Sequence, residues 1–171
     1  MRPGGTAALA AAGALLAACA ALSPPDAGVI AGRIAVRVDA QPVRSFSADF
    51  ELRGDARAGS LRLAGPLGTT VADAQWSTGE ARLVTPQGDR RFANTDELSE
   101  AALGERIPLA ALIDWLRGRP WPDASSAAIT DSAGFTQLGW RIDLSRQAEG
   151  WIEARREAPP RVTVRARMDS P

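Results

Sequence analysis

The chain has 171 residues, enough for one domain with a real core, and its 20 basic and 20 acidic side chains cancel. That balance supplies no electrostatic pull toward nucleic acid. There is no His and every base is Arg, which excludes Ser-His and Cys-His nucleophile pairs, His-ligated zinc, a Walker A lysine and a Schiff-base lysine.

Residues 1–18, MRPGGTAALAAAGALLAA, carry one positive charge at Arg2 and then an apolar run. The run is too short to cross a bilayer as a helix and has the length of a secretory signal. It ends in LAAC, residues 16–19, and this tetrad resembles a bacterial lipobox. The expectation is cleavage before Cys19, followed by N-acyl and S-diacylglycerol modification of Cys19. The other readings are an ordinary signal with a chance Cys, or a structural thiol. Cys19 is the sole cysteine, so it has no disulfide partner within the chain. Stable anchoring needs more than one acyl chain, as such a modified cysteine has. Ala20 follows it, which is compatible with passage to the outer membrane. Residues 19–31 then read as a short Pro-containing tether, and residues 32–171 as a single domain.

From Gly32 the chain alternates. RIAVRV (33–38) sets Ile34, Val36 and Val38 on one face; FSADFEL (46–52) sets Phe46, Ala48, Phe50 and Leu52; SLRLA (60–64) sets Leu61 and Leu63. Period two with one apolar face predicts half-buried strands. Further strands are expected near 70–77, 81–85 and 89–93. The short Gly-rich segments between them predict hairpins and an antiparallel meander. One such segment, Gly65-Pro66-Leu67-Gly68, has Pro where the second position of a type I turn wants it. It places Leu67 at the tip, either folded back on its neighbours or exposed.

The period then changes. Asn94 is a candidate N-cap with Glu97 three residues on and Gly104 as the stop. In IPLAALIDWLRGRP (107–120), Pro108 suits a first helical position and Leu109, Leu112, Ile113 and Leu116 form one stripe. Strands resume near 127–130, 138–145, 151–157 and 161–169. Two helices cannot cover both faces of about ten strands, so one face meets solvent and the other curls around something. Such a sheet either packs solid or leaves an apolar cavity, and since most apolar faces are simply core, periodicity alone favours solid packing.

The order of these motifs carries a resemblance: lipobox Cys19, GRIAVRV, SFSADFEL, LRLAGPLG, IPLAALIDWLRGRP and QLGWRIDLS. From about Gly32 to Asp169 the chain resembles the LolB family of outer-membrane lipoproteins. The resemblance implies a mainly β fold, an open antiparallel half-barrel of roughly ten strands. Two or three short helices would form a small lid over an apolar cavity. It also implies an acceptor and insertase that takes acylated lipoproteins from the periplasmic carrier LolA and places them in the outer membrane. Such a protein is a monomer on the periplasmic face, is not an enzyme, and uses no cofactor beyond its own lipid. Trp115 and Leu116 match the lid-helix motif, Leu112 and Ile113 share its stripe, and Trp140 matches a late-strand tryptophan. Phe46, Phe50 and Trp76 are cavity candidates by alternation alone. Pro66, Leu67 and Gly68 match a membrane-insertion loop, with Leu67 as its apolar probe. Members often carry a helix before the first strand; here only Ala20 to Ala31 fill that gap, with adjacent prolines. The lid then rests on the two central segments. The competing functions are a structural or assembly-partner lipoprotein with a solid β core, and, with least support, an acid–base hydrolase using scattered carboxylates.

Overall fold

A computed structural model describes residues 28–169. Strands β1 (Ile30–Asp39), β2 (Arg44–Gly54), β3 (Gly59–Ala64), β4 (Thr70–Ser77), β5 (Glu80–Thr85) and β6 (Gly88–Phe92) come first. Helices α1 (Thr95–Leu103) and α2 (Leu109–Trp115) follow. Then come β7 (Ser126–Ala128), β8 (Gly134–Gln137), β9 (Trp140–Asp143), β10 (Trp151–Arg156) and β11 (Arg161–Met168).

All eleven strands form one antiparallel sheet, ordered β6-β5-β4-β3-β2-β1-β11-β10-β9-β8-β7. The first and last strands pair at its centre, with Val36 opposite Val164. The chain walks outward from β1 to the β6 edge, crosses through the two helices, and returns from the β7 edge. The helices therefore link the two edges of an open half-barrel, as a lid does.

Alternation holds along the central strands. Ile34, Val36 and Val38 are buried while Arg33 and Arg37 are exposed. The outward face carries cross-strand ion pairs such as Arg33–Asp49 at 3.0 Å, worth little each in water. The buried face is the core of the molecule: Phe50, Leu52, Ile142, Ile152, Val162 and Val164 are all nearly inaccessible.

The expected strand 138–145 is shorter, β9 at Trp140–Asp143, and it is preceded by β8 at Gly134–Gln137, which the pattern did not predict. Leu138 and Gly139 have φ of 53° and 77° and form a two-residue hairpin turn, with Gln137 opposite Trp140. Positive φ at both turn positions matches the twist of the flanking strands. Leu in the first of them hid the turn from the sequence, where Asn or Gly would have marked it.

The α1 boundaries follow the sequence signals. Asn94 Oδ1 accepts the Glu97 N–H at 2.8 Å, and Glu97 reaches back to the Ala93 N–H at 3.2 Å. Gly104 closes the helix at φ 72°, its N–H bonded to Glu100 O. Helix α2 stops short of the expected end at Gly118 and Pro120, and Pro108 is its N-cap rather than its first helical residue. Beyond Trp115 the chain tightens into turns that end at Gly118, φ 73°. The buried Ser99 hydroxyl donates to Asp96 O and accepts the Ile107 N–H at 3.0 Å. That bond ties the segment leading into α2 to α1.

Candidate functional site

Helix α1 packs over β5 and β6 and touches α2. Its inward side is partly small: Leu98 and Leu103 are joined by Ala101 and Ala102. Such a face cannot fill the concavity of the sheet beneath it. The result is a cavity of about 540 Å³, within the size range of small-molecule pockets. Val36, Phe46, Leu61, Leu63, Ala72 and Leu83 form its floor, and Leu98, Ile107, Leu109 and Leu112 its roof. Polar groups are confined to a few positions, Thr85, Gln87, Arg90 and Ser99 among them.

Of the cavity and lid candidates named from the sequence, Phe46 and Leu112 line this cavity. Phe50 is buried outside the lining. Trp76 lies toward the far end of β4, where its indole N–H donates to Asp55 O at 2.8 Å. Its ring covers Gly59 so closely that a Cβ there would come within 2.6 Å. Ile113 and Leu116 are buried in the core, also outside the lining. Trp115 and Trp140 pack on each other with centroids 5.7 Å apart. The Trp115 indole donates to Gln137 Oε1 at 2.8 Å.

Helix α2 is thus divided. Leu109 and Leu112 look into the cavity, while Trp115 is seated on β8 and β9. Ile34, Leu61 and Leu63 were legible as inward-facing from alternation. Leu98, Leu103 and Leu83 were not singled out, because only the placement of α1 decides which inward residues border a void.

The turn at 65–68 is built as its sequence asks. Gly68 N–H bonds to Gly65 O, and Gly65 N–H to Thr69 O, both at 2.9 Å. Gly68 has φ 75° and Leu67 keeps a negative φ, the pattern of a type I turn closed by a left-handed glycine. Leu67 is 95% exposed. Just behind it the β3–β4 register slips: Leu63 faces Ala72 and Ala64 faces Thr70, leaving Val71 bulged out. Val71 is 43% exposed and lines the cavity. One turn and its bulge thus carry an exposed Leu67 at the tip and, four residues on, Val71 at the cavity lining.

Among the described residues no carboxyl lines the cavity. Among the described residues the carboxyls with displaced pKa values are all lowered. Backbone N–H groups of Ala58 and Arg57 lower Asp55, Arg82 lowers Asp89, Ser145 lowers Asp143, and Arg146 lowers Glu149. None of them lines the cavity. The chemistry available to this site is burial of apolar surface.

A family model described as outer membrane lipoprotein LolB matches residues 29–169. The chain belongs to the LolB family. It is similar to the outer-membrane lipoprotein LolB of Bordetella petrii, at 34% identity over 92% of this chain and 88% of the relative. The LolB of Bordetella pertussis is 33% identical over the same shares. That of Pseudomonas aeruginosa is 34% identical over 75% of this chain and 63% of the relative. Membership places the chain among outer-membrane lipoproteins and not among enzymes. The mainly β half-barrel with its helical lid is the fold expected of such a LolB protein. Cys19 and residues 20–27 of the gap before the first strand lie outside the described residues, and β1 already begins at Ile30 within that gap.

Proposed function

We propose that this chain accepts acylated lipoproteins from the periplasmic carrier LolA into its cavity and inserts them into the outer membrane. The observation that carries this reading is the pairing of an apolar cavity, with Val71 in its lining, and a solvent-exposed leucine four residues earlier at the tip of the adjoining turn. Acyl chains are driven out of water in proportion to their apolar area. A cavity roofed by a small-residue helix offers them cover with little polar surface to desolvate. Leu67 and the bulged Val71 extend that apolar lining outward, where they can meet the hydrocarbon edge of a bilayer. Because each step is a transfer between apolar environments, it needs neither a nucleotide nor a covalent bond. Cys19, lipidated and anchored, would hold the body at the periplasmic face of the membrane.

Transfer measured in two stages tests this: carrier to protein, then protein to liposomes. Leu67→Glu keeps the cavity and places a carboxylate at the tip. It is expected to accept lipoprotein normally and to fail at delivery. Normal delivery by this variant would overturn the insertion role of Leu67, and failure of the wild-type chain to accept lipoprotein would overturn the carrier role. Mass spectrometry of the mature N-terminus should find Cys19 acylated; an unmodified Cys19 would refute the anchor.

A further inference from the structure

The cavity lining contains a single formally charged residue, Arg90. Strand β6 pairs Arg90 with Leu83, and Arg91 with Arg82. Directly opposed residues share a sheet face, and Leu83 is buried on the concave one. Arg90 therefore projects to the cavity side. Its guanidinium carbon lies 5.0 Å above the ring of Phe92, the next residue on that face.

Its neighbours behave differently. Arg82 is neutralised by Asp89, and Arg91 lies 3.4 Å from Glu80. Arg90 has no carboxylate within ion-pair distance and no hydrogen-bond acceptor among the described residues. A guanidinium carries five donors and keeps its charge at any ordinary pH. Here a cation, with Gln87 and Thr85 nearby in the lining, borders a mostly apolar void.

A chain that buries its tail in this cavity must leave its polar root at the mouth, because oxygen atoms resist burial without partners. We infer that Arg90 is a head-recognition residue: its guanidinium donates to carbonyl or phosphate oxygens at the root of an acyl chain seated in the cavity. The inference rests on the carrier reading above and adds a polar selectivity to it. The competing account is that an inward charge on an edge strand deters pairing with another sheet.

Binding measured on the full chain carrying Cys19→Ala, so that no acyl chain of its own competes, separates these. Three probes are compared: a tripalmitoyl-cysteinyl peptide with carbonyls only, a phosphatidylglycerol with a phosphate, and diphenylhexatriene, a hydrocarbon without oxygen. Arg90→Ala and Arg90→Leu are expected to weaken one or both oxygen-bearing probes about tenfold. Diphenylhexatriene should bind as before, and Arg90→Lys should recover part of the loss. A loss confined to the peptide assigns carbonyls as the partner, and a loss confined to the phospholipid assigns phosphate. Equal weakening of all three probes would overturn the inference, since Arg90 would then only shape the cavity. Unchanged binding of all three, with self-association of the variants, would overturn it in favour of edge protection. A chain with wild-type Arg90 that binds none of the probes would refute the carrier reading itself, and this inference with it.

Discussion

The indole N–H of Trp115 donates to Gln137 Oε1 at 2.8 Å, and this bond fastens helix α2 to strand β8. The same oxygen accepts the Trp121 N–H at 2.9 Å, and Gln137 Nε2 donates to Trp121 O and Ala124 O, each at 2.8 Å. One buried amide thus satisfies the helix, the loop after it and the returning strand. Gln137→Leu leaves those groups unpartnered, and each such loss costs about 1–3 kcal/mol. Three of those bonds are only part-buried, so water recovers some of the loss, and the variant is expected to lose about 2–4 kcal/mol of stability in urea unfolding. A change under about 1 kcal/mol would show that water replaces the amide.

Leu112 and Ile113 are adjacent on α2 and both buried, but only Leu112 borders the void. Leu112→Ala should cost near the lower end of the ~2–5 kcal/mol range for large-to-Ala changes in a core, and Ile113→Ala should cost more. Leu112→Asp places a carboxylate on the cavity wall, which is unfavourable unless it protonates. Its expected result is loss of hydrocarbon-probe uptake while the chain stays folded by circular dichroism. Normal uptake would mean that Leu112 does not border the binding space.

Leu138 holds φ at 53° while 47% exposed. A left-handed backbone at a residue with a branched, apolar side chain costs about 1–2 kcal/mol, which Asn tolerates better. Leu138→Asn is expected to raise the melting temperature by a few degrees, on the order of 1 kcal/mol. A fall in the melting temperature would show that Leu138 packs on its neighbours more than its exposure implies.

The Asp55 carboxylate accepts N–H bonds from Arg57 at 2.8 Å and Ala58 at 3.1 Å. The Ala58 bond is the larger cause, the Arg57 bond the second, and together they hold the carboxyl below its ordinary value of 3.8. A carboxyl lowered by folding stabilises the native state above its unfolded pKa. That contribution fades as the pH falls from there through the folded value. Asp55→Ala should therefore be less stable than wild type at neutral pH, with the difference narrowing as the pH drops below about 4. Urea titrations of both proteins across that range check it. A difference that does not change with pH would mean that the loop is indifferent to the charge.

The sequence by itself determined much of this protein, because the signals concerned are local. Period-two alternation identified the inward faces of β1, β2 and β3, since a strand half-immersed in a core must alternate. Asn94, Glu97 and Gly104 placed α1, since capping bonds reach no further than a few residues. Gly65 to Gly68 placed Leu67 at a tip for the same reason. The β8–β9 hairpin was not legible: its turn uses Leu138, and the left-handed conformation there is imposed by pairing between Gln137 and Trp140. Nor could alternation separate cavity from core. Phe46 and Phe50 lie on one face of one strand, yet only Phe46 borders the void. That difference arises from where α1 and α2 cross the gap between β6 and β7, and from Ala101 and Ala102 failing to fill it. A void is defined by atoms far apart in sequence, so only the tertiary structure decided where it lies and that Arg90 faces it.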